Sequence, residues 1–457
     1  MSAAGARPMP APVTAPAFPA GGGEGQAAAP ADAYGVTRAQ RAVILFLVTF
    51  LLVFPKGGVK VGGVPLTWGY LALAPLSLAL PLALLSRRPM TFQRSRLRVL
   101  CLLAPFQALS LVSLLAHGYD EAGFTISFVV SCFFLPVMFV LVLGMHLDRL
   151  DLGFVLRLVR TGVFLVAAYG IFLFFYKFAT GHFIEVPYLT VNAGDLGELE
   201  GKSIDRGGIF KLISTYNNGN LYGTCILILL PLYCWMERST TRRSVVKLSL
   251  LLSLSRTVWI GIALNELIQR LYVRRPTLRS LLVMAVSLAV LVAGVLYCVH
   301  LLKQDVGRFI FDRNLGGREV QWSHPGDLTL LPGVRFATVL EMVYLSMLYD
   351  FGVLGLALYV LGMAAPLALH LAGALPQRGS EYKRALAAGV AIYLIVSLSD
   401  GGLLFIPIMA FYWFVVSLLL SDNPTFERVL ERRPLLARLR ARLPRRWPAP
   451  RADTASA

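Results

Sequence analysis

Between Arg38 and Leu420 the chain is a succession of apolar blocks, many about twenty residues long, separated by short charged segments. Lys56 to Lys60 ends one block, Arg87 to Arg98 divides two more, and Glu237 to Lys247 divides another pair. A helix of about twenty residues matches the thickness of a hydrocarbon core, so a bilayer is the simplest solvent for such blocks. With 56% hydrophobic and only 15% charged residues, the composition departs from that of soluble domains. Burying every block in one aqueous globule of this length is not feasible. The expectation is an all-α polytopic membrane protein of about twelve spans, with no soluble domain large enough to fold alone. The spans fall at roughly 39–55, 66–86, 99–116, 123–145, 153–178, 219–236, 244–254, 257–272, 278–301, 337–370, 384–399 and 402–420.

Residues 1–38 form an Ala-, Pro- and Gly-rich tail with hardly any charge, expected to be disordered. It lacks the basic-then-apolar order of a cleaved signal peptide, so insertion is expected to rely on the first span. Cys101, Cys132, Cys225, Cys234 and Cys298 lie in or at the ends of apolar blocks without metal or redox spacing, and read as buried thiols. The net charge of +18 is distributed as a topology signal and does not point to nucleic acid. Most of the 43 lysines and arginines fall in 87–98, 146–160, 237–247, 270–279, 377–384 and the two tails, all on one side. That excess marks the cytoplasmic face and puts both termini there. The tail 421–457 carries RRPLLARLRARLPRRW, a basic amphipathic segment suited to anionic headgroups and so to membrane lipids as partners.

The assignment depends on 244–272 being two short spans that meet at Ser255-Arg256 on the outer face. One continuous span would move the later basic loops outside. With two, the long segments 179–218 and 302–336 are both external. Loops of that length are uncommon unless they carry function. These two are mixed in charge and rich in Gly, Asn and aromatics, so chemistry is expected outside.

Several residues there suit a polar ligand. In RGGIFKLISTYNNGNLYG, Arg206 precedes two glycines, and Asn217, Asn218 and Asn220 lead into the sixth span. Glycines admit close backbone approach and amides hydrogen-bond sugar hydroxyls, while the plainer reading of NNGN is a turn with a helix cap. Arg256 stands between two short apolar stretches, where an arginine at membrane depth costs about 2.5–3.5 kcal/mol unless it lines a cavity, has a partner or snorkels to the interface. FDRNLGGREVQW holds Arg313 and Arg318 around two glycines, followed by Trp322. Guanidinium forks match diphosphate oxygens, although Asp312 and Glu319 are also available as ion-pair partners in a solvated loop. Glu341 opens the tenth span and shares a helix face with Tyr344, which suits it as a general base, as a holder of an arginine, or as a carboxylate favoured by the helix dipole. Asp350 reads as structural, and Asp400 in SLSDGGL as a candidate to line the outer cavity. The histidines are scattered, and no metal or other cofactor site is apparent.

Taken together, these residues resemble the O-antigen polymerase and ligase superfamily, the Wzy-type and WaaL-type membrane glycosyltransferases. The resemblance rests on Arg206, Phe210, Asn217 and Asn218; on Ser255 and Arg256; on Gly317, Arg318 and Trp322; and on Glu341, Tyr344, Gly352 and Gly355. It is strongest over 200–360. It implies a GT-C-like transmembrane domain over 39–420 at the bacterial inner membrane, acting at the periplasmic face on polyprenyl-diphosphate-linked glycans. Arg206, Arg256 and Arg318 would contact diphosphate or glycan without a metal. The ligase branch typically has a His where this chain has Glu341, which favours a polymerase of repeat units, with a chain-length regulator as an implied partner. The alternatives are a ligase delivering the finished glycan to an acceptor and, in another class, a transporter without chemistry.

Overall fold

The computed structural model describes residues 37–61, 64–71, 73, 93–193, 196–197, 199, 205–206, 209–273, 278–301, 328–375, 379–423 and 425. Most of the second expected span, the glycine pair at 316–317 with Arg313, Arg318 and Trp322, and nearly all of the two tails lie outside them. The described chain is mostly helical. Helix α1 is Arg38–Val48, continued by a π-helical turn Thr49–Val53; α2 is Arg94–His117; α3 is Ala122–Leu147, with π-helical stretches Val130–Phe134 and Met138–Leu143; α4 is Leu152–Thr180. Then come α5 (Gly219–Met236), α6 (Thr240–Leu251), α7 (Arg256–Ile268, with a π-helical turn Gln269–Val273), α8 (Leu278–Leu301), α9 (Val343–Leu371), α10 (Glu381–Val396) and α11 (Ile406–Leu420). Two small antiparallel hairpins interrupt the all-α expectation: β1 (Gly58–Val61) with β2 (Val64–Thr67), and β3 (Asp205–Arg206) with β4 (Ile209–Phe210).

Among the described residues, five helices, α2, α3, α4, α5 and α9, are long and apolar enough to cross a membrane. Their burial separates a centre from a rim. Helices α5 and α11 are buried along nearly their whole length, whereas α2, α4 and α8 leave Leu115, Phe178 and Val290 exposed at 79%, 70% and 67%. An apolar outer surface of this kind suits hydrocarbon as solvent, with the helix supplying its own backbone hydrogen bonds.

The stretch 244–272 is two helices. The chain breaks at Leu254, a left-handed residue (φ 51°), and restarts at Ser255, the N-cap of α7. The halves fold back on each other. Trp259 Nε1 donates to the Leu251 carbonyl at 2.9 Å, and Lys247 Nζ meets Glu266 Oε1 at 2.5 Å toward the far ends. The tip is held against the end of the first long loop, where Leu212 N donates to the Leu252 carbonyl. Arg256 therefore sits at the same end of the helices as the start of α5.

Helix α9 is also broken, at Gly352 (φ 72°, ψ −178°). The rings of Tyr344 and Tyr359 lie 6.1 Å apart, although a straight helix would separate those positions by about 22 Å. The first limb is thus turned back across the second. The tenth expected span, 337–370, begins later than read and bends in the middle.

At the opposite end, charged side chains are fastened inside the protein. Arg96, 1% exposed, makes a two-pronged bond to Asp148 at 2.8 and 2.9 Å and donates to the Val140 carbonyl. Lys383 Nζ caps the end of α11 through the carbonyls of Leu418, Leu419 and Ser421. Asn423 Nδ2 donates to the Leu150 carbonyl at 2.8 Å. In sequence these residues belong to segments that read as merely basic.

Arg96→Ala is expected to lower stability by roughly 3 kcal/mol, because partly buried Asp148 loses its ion pair and keeps a bond from the neutral Ser421 hydroxyl. Gly144→Ala should be as harmful, since a Cβ there would lie 1.4 Å from Arg96 Nη1. Thermal unfolding of the detergent-solubilised protein measures both.

Candidate functional site

A cavity of about 480 Å³ opens where the breaks and turns of one end converge. Pro55 and Lys56 reach it from beyond the π-helical turn that continues α1, Thr67 from the end of β2, and Tyr70 from the chain after the hairpin. Glu121, Phe124 and Ser127 come from the start of α3, and Asn218 and Asn220 from the start of α5. Glu341 lies just before α9, and residues 400–407 form the turn into α11.

Local rules explain how each side chain arrives. Asn217 is left-handed (φ 56°), a conformation Asn tolerates, and its Nδ2 donates to the Thr190 carbonyl at 3.0 Å. It holds the loop, and the cavity lining does not include it. Asn218 is the N-cap of α5, its Oδ1 accepting from Asn220 N at 2.8 Å and Leu221 N at 3.3 Å. The plainer reading of NNGN thus holds for Asn218, which also lines the cavity. Asn220 lines it as well, and its buried Oδ1 has no hydrogen-bond partner among the described residues.

Glu341 is exposed and precedes Met342, the N-cap of α9, so it is not part of the helix. That removes the helical face expected to join it to Tyr344. The Tyr344 hydroxyl donates instead to the Leu394 carbonyl at 2.7 Å, away from the cavity lining. Gly401 N donates to the Glu341 carbonyl at 3.0 Å, which sets Glu341 beside the turn bearing Asp400. Asp400 is 4% exposed and its carbonyl accepts from Thr224 Oγ1 at 3.4 Å. Gly402 needs its positive φ (53°) to make that turn, and a Cβ there would press on Ile408.

Arg256, half-buried at the first position of α7, is next to the site without lining it. Its neighbour Thr257 shares a 3.0 Å hydrogen bond with Ser399, which precedes Asp400. Arg206 pairs with Ile209 in the β3–β4 hairpin, and its side chain is outside the described residues. Asp350 accepts from Ser346 Oγ at 2.8 Å within α9, in keeping with a structural role.

Lys56, Tyr70 and Glu121 are not among the residues that the sequence singles out for function. In the sequence Lys56 only marks the end of an apolar block. Here its ammonium lies 4.8 Å from the Phe405 ring centroid. Nothing local in the sequence singles out Tyr70 or Glu121; only their convergence does. Among the described lining residues, three carboxylates (Glu121, Glu341, Asp400) face one lysine, beside two amides and several rings. Such a set can accept a proton, bind hydroxyls and stack on a sugar face.

Below this polar cavity, the same two helices line an apolar pocket of about 70 Å³. Helix α1 and its π-helical turn contribute Val48, Leu51 and Leu52 to the pocket, one turn before Pro55 and Lys56. Helix α11 contributes Ile406 and Pro407 above, then Ala410, Phe411 and Phe414 below. The apolar pocket is also lined by Phe139, Leu143 and Leu147 of α3 and by Val155 and Val159 of α4, and it shares no lining residue with the polar cavity. No family model, curated protein or solved structure matches the chain.

Asn217→Ala should destabilise more than Asn217→Gly by about 1 kcal/mol, because both lose the bond to Thr190 but only alanine is strained in the left-handed conformation. Parallel thermal melts compare the two.

Proposed function

We propose that the chain is a membrane glycosyltransferase that joins polyprenyl-diphosphate-linked oligosaccharide units at the periplasmic face of a bacterial inner membrane. In this reading it is polytopic, with about twelve spans, a GT-C-like arrangement and both termini cytoplasmic. One observation carries it. The polar cavity is assembled from the ends that the distribution of basic residues assigns to the outside, and a separate apolar pocket lies deeper among α1, α3, α4 and α11. An amphiphile with a polar head and a long hydrocarbon tail suits that arrangement.

A hydroxyl of the incoming unit attacks the anomeric carbon of the growing chain, the bond to the diphosphate oxygen breaks, and polyprenyl diphosphate leaves. Glu341 or Asp400 takes the hydroxyl proton. Lys56 lines the cavity and Arg256 adjoins it, so both are placed to offset charge growing on the leaving oxygen; Arg206, Arg313 and Arg318 are assigned to the same diphosphate. Asn218, Asn220, Tyr70 and Trp322 are assigned to the glycan. The two carboxylate candidates replace the single one read from the sequence.

A second reading is favoured by the break at Gly352 and the π-helical turns, since discontinuous helices mark transporters. Reconstitution in proteoliposomes with a lipid-diphosphate-linked repeat unit separates the two. A ladder of longer glycans supports the transferase, and movement of unaltered units between leaflets supports the transporter. In cells, finished chains left on the carrier would point to a ligase. For the polymerase, Asp400→Asn or Glu341→Gln is expected to slow elongation by about 10²–10⁴-fold, whichever is the base, with units still bound. Wild-type ladders from both variants and from Arg256→Ala would overturn the assignment.

A further inference from the structure

The segment Leu328–Val334 belongs, by sequence, to an external loop of mixed charge. Its placement says otherwise. Val353 N and Leu354 N, freed by the break at Gly352, donate to the carbonyls of Thr329 and Leu330 at 3.0 and 3.1 Å. A Cβ at Gly352 would lie 2.8 Å from both of those carbonyl oxygens, so the contact needs glycine. The Leu331 carbonyl accepts from Thr329 Oγ1 at 2.7 Å, and Pro332 has no amide proton. Three consecutive carbonyls therefore have partners and Pro332 brings no amide proton to satisfy, which lowers the cost of irregular backbone away from water at Thr329–Pro332.

Depth follows from the neighbours. A Cβ at Gly355 would lie 3.7 Å from Leu109 Cδ2, and Leu109 is about 12 Å along α2 from its end at His117. Phe336, by contrast, pairs with Gly118 and Asp120 just beyond that end. The chain thus runs from Leu330, beside the middle of α2, up to Phe336 at its tip. Along the way Leu328, Leu330, Leu331 and Val334 are 67%, 69%, 54% and 51% exposed. They continue the apolar rim formed by Val353 of α9 and Val112 of α2, themselves 46% and 62% exposed.

We infer that Leu328–Val334 is a re-entrant strap whose leucines lie among the acyl chains of the outer leaflet. It leads through Phe336 into Val339–Glu341, so a wall of the polar cavity is tethered to the lipid. The inference rests on the membrane topology proposed above and is independent of the reaction.

The test places a genetically encoded, environment-sensitive fluorescent residue at position 330, and separately at 328, in the full chain in phosphatidylcholine–phosphatidylglycerol liposomes. Reference sites are Leu361, exposed on α9, and Leu196, exposed in the first loop. The expected result is blue-shifted emission at 328 and 330, lost with acyl-brominated lipids as at 361 and insensitive to aqueous iodide, whereas 196 responds to iodide. Iodide quenching at 328 and 330 alongside lipid quenching at 361 would overturn the strap alone. Absence of lipid quenching at 361 as well would overturn the membrane topology with it, and neither readout depends on catalysis.

Discussion

Backbone that leaves a helix inside hydrocarbon has to find hydrogen-bond partners within the protein, because lipid offers none. That demand organises one end of this molecule. Where α6 ends, the Leu252 carbonyl accepts from Leu212; where α9 breaks, Val353 and Leu354 donate to Thr329 and Leu330; beyond α10, Gly401 donates to Glu341. Each break is closed by a segment distant in the chain. The last of these contacts sets Glu341 beside the Asp400 turn in the cavity wall. Its polar lining follows from the same cause, since turns and caps collect Asn, Asp and Glu in a way that continuous apolar helices do not.

The other end obeys the complementary rule. Charges that cannot reach water are paired or bound to helix carbonyls, as with Arg96 on Asp148 and Lys383 on the end of α11. These contacts join α2, α3, α10 and α11. The π-helical turn Thr49–Val53 contributes Leu51 and Leu52 to the apolar pocket and is followed closely by Pro55 and Lys56 of the polar cavity.

Much of this was legible in sequence, and particular residues show where legibility stops. Apolar block length located the helices, because crossing hydrocarbon imposes a length that no packing detail changes. Ser255-Arg256 was read as a tip because the basic segments balance only if the chain reverses there, and the structure reverses it. Glu341 was read as helical, however, because an apolar run does not reveal its first turn when Met342 caps it without a side-chain bond. Tyr344 was paired with Glu341 on that false face, and the Gly352 bend turns it to Leu394 instead. Asn217 and Asn218 carry local signals, one for the left-handed turn and one for the cap, so half of their behaviour was visible in advance.

By itself, the sequence determined that this is a helical chain apolar enough for a membrane, and the approximate limits of many of its helices. Those properties are carried by local composition. Only the tertiary structure decided that Lys56, Tyr70, Glu121, Asn220, Glu341 and Asp400 share one cavity, that Tyr344 does not, and that Leu330 lies against a broken helix. Those meetings depend on the direction in which each break turns the chain. That direction is set by hydrogen bonds and packing between residues far apart in sequence, which no local pattern encodes.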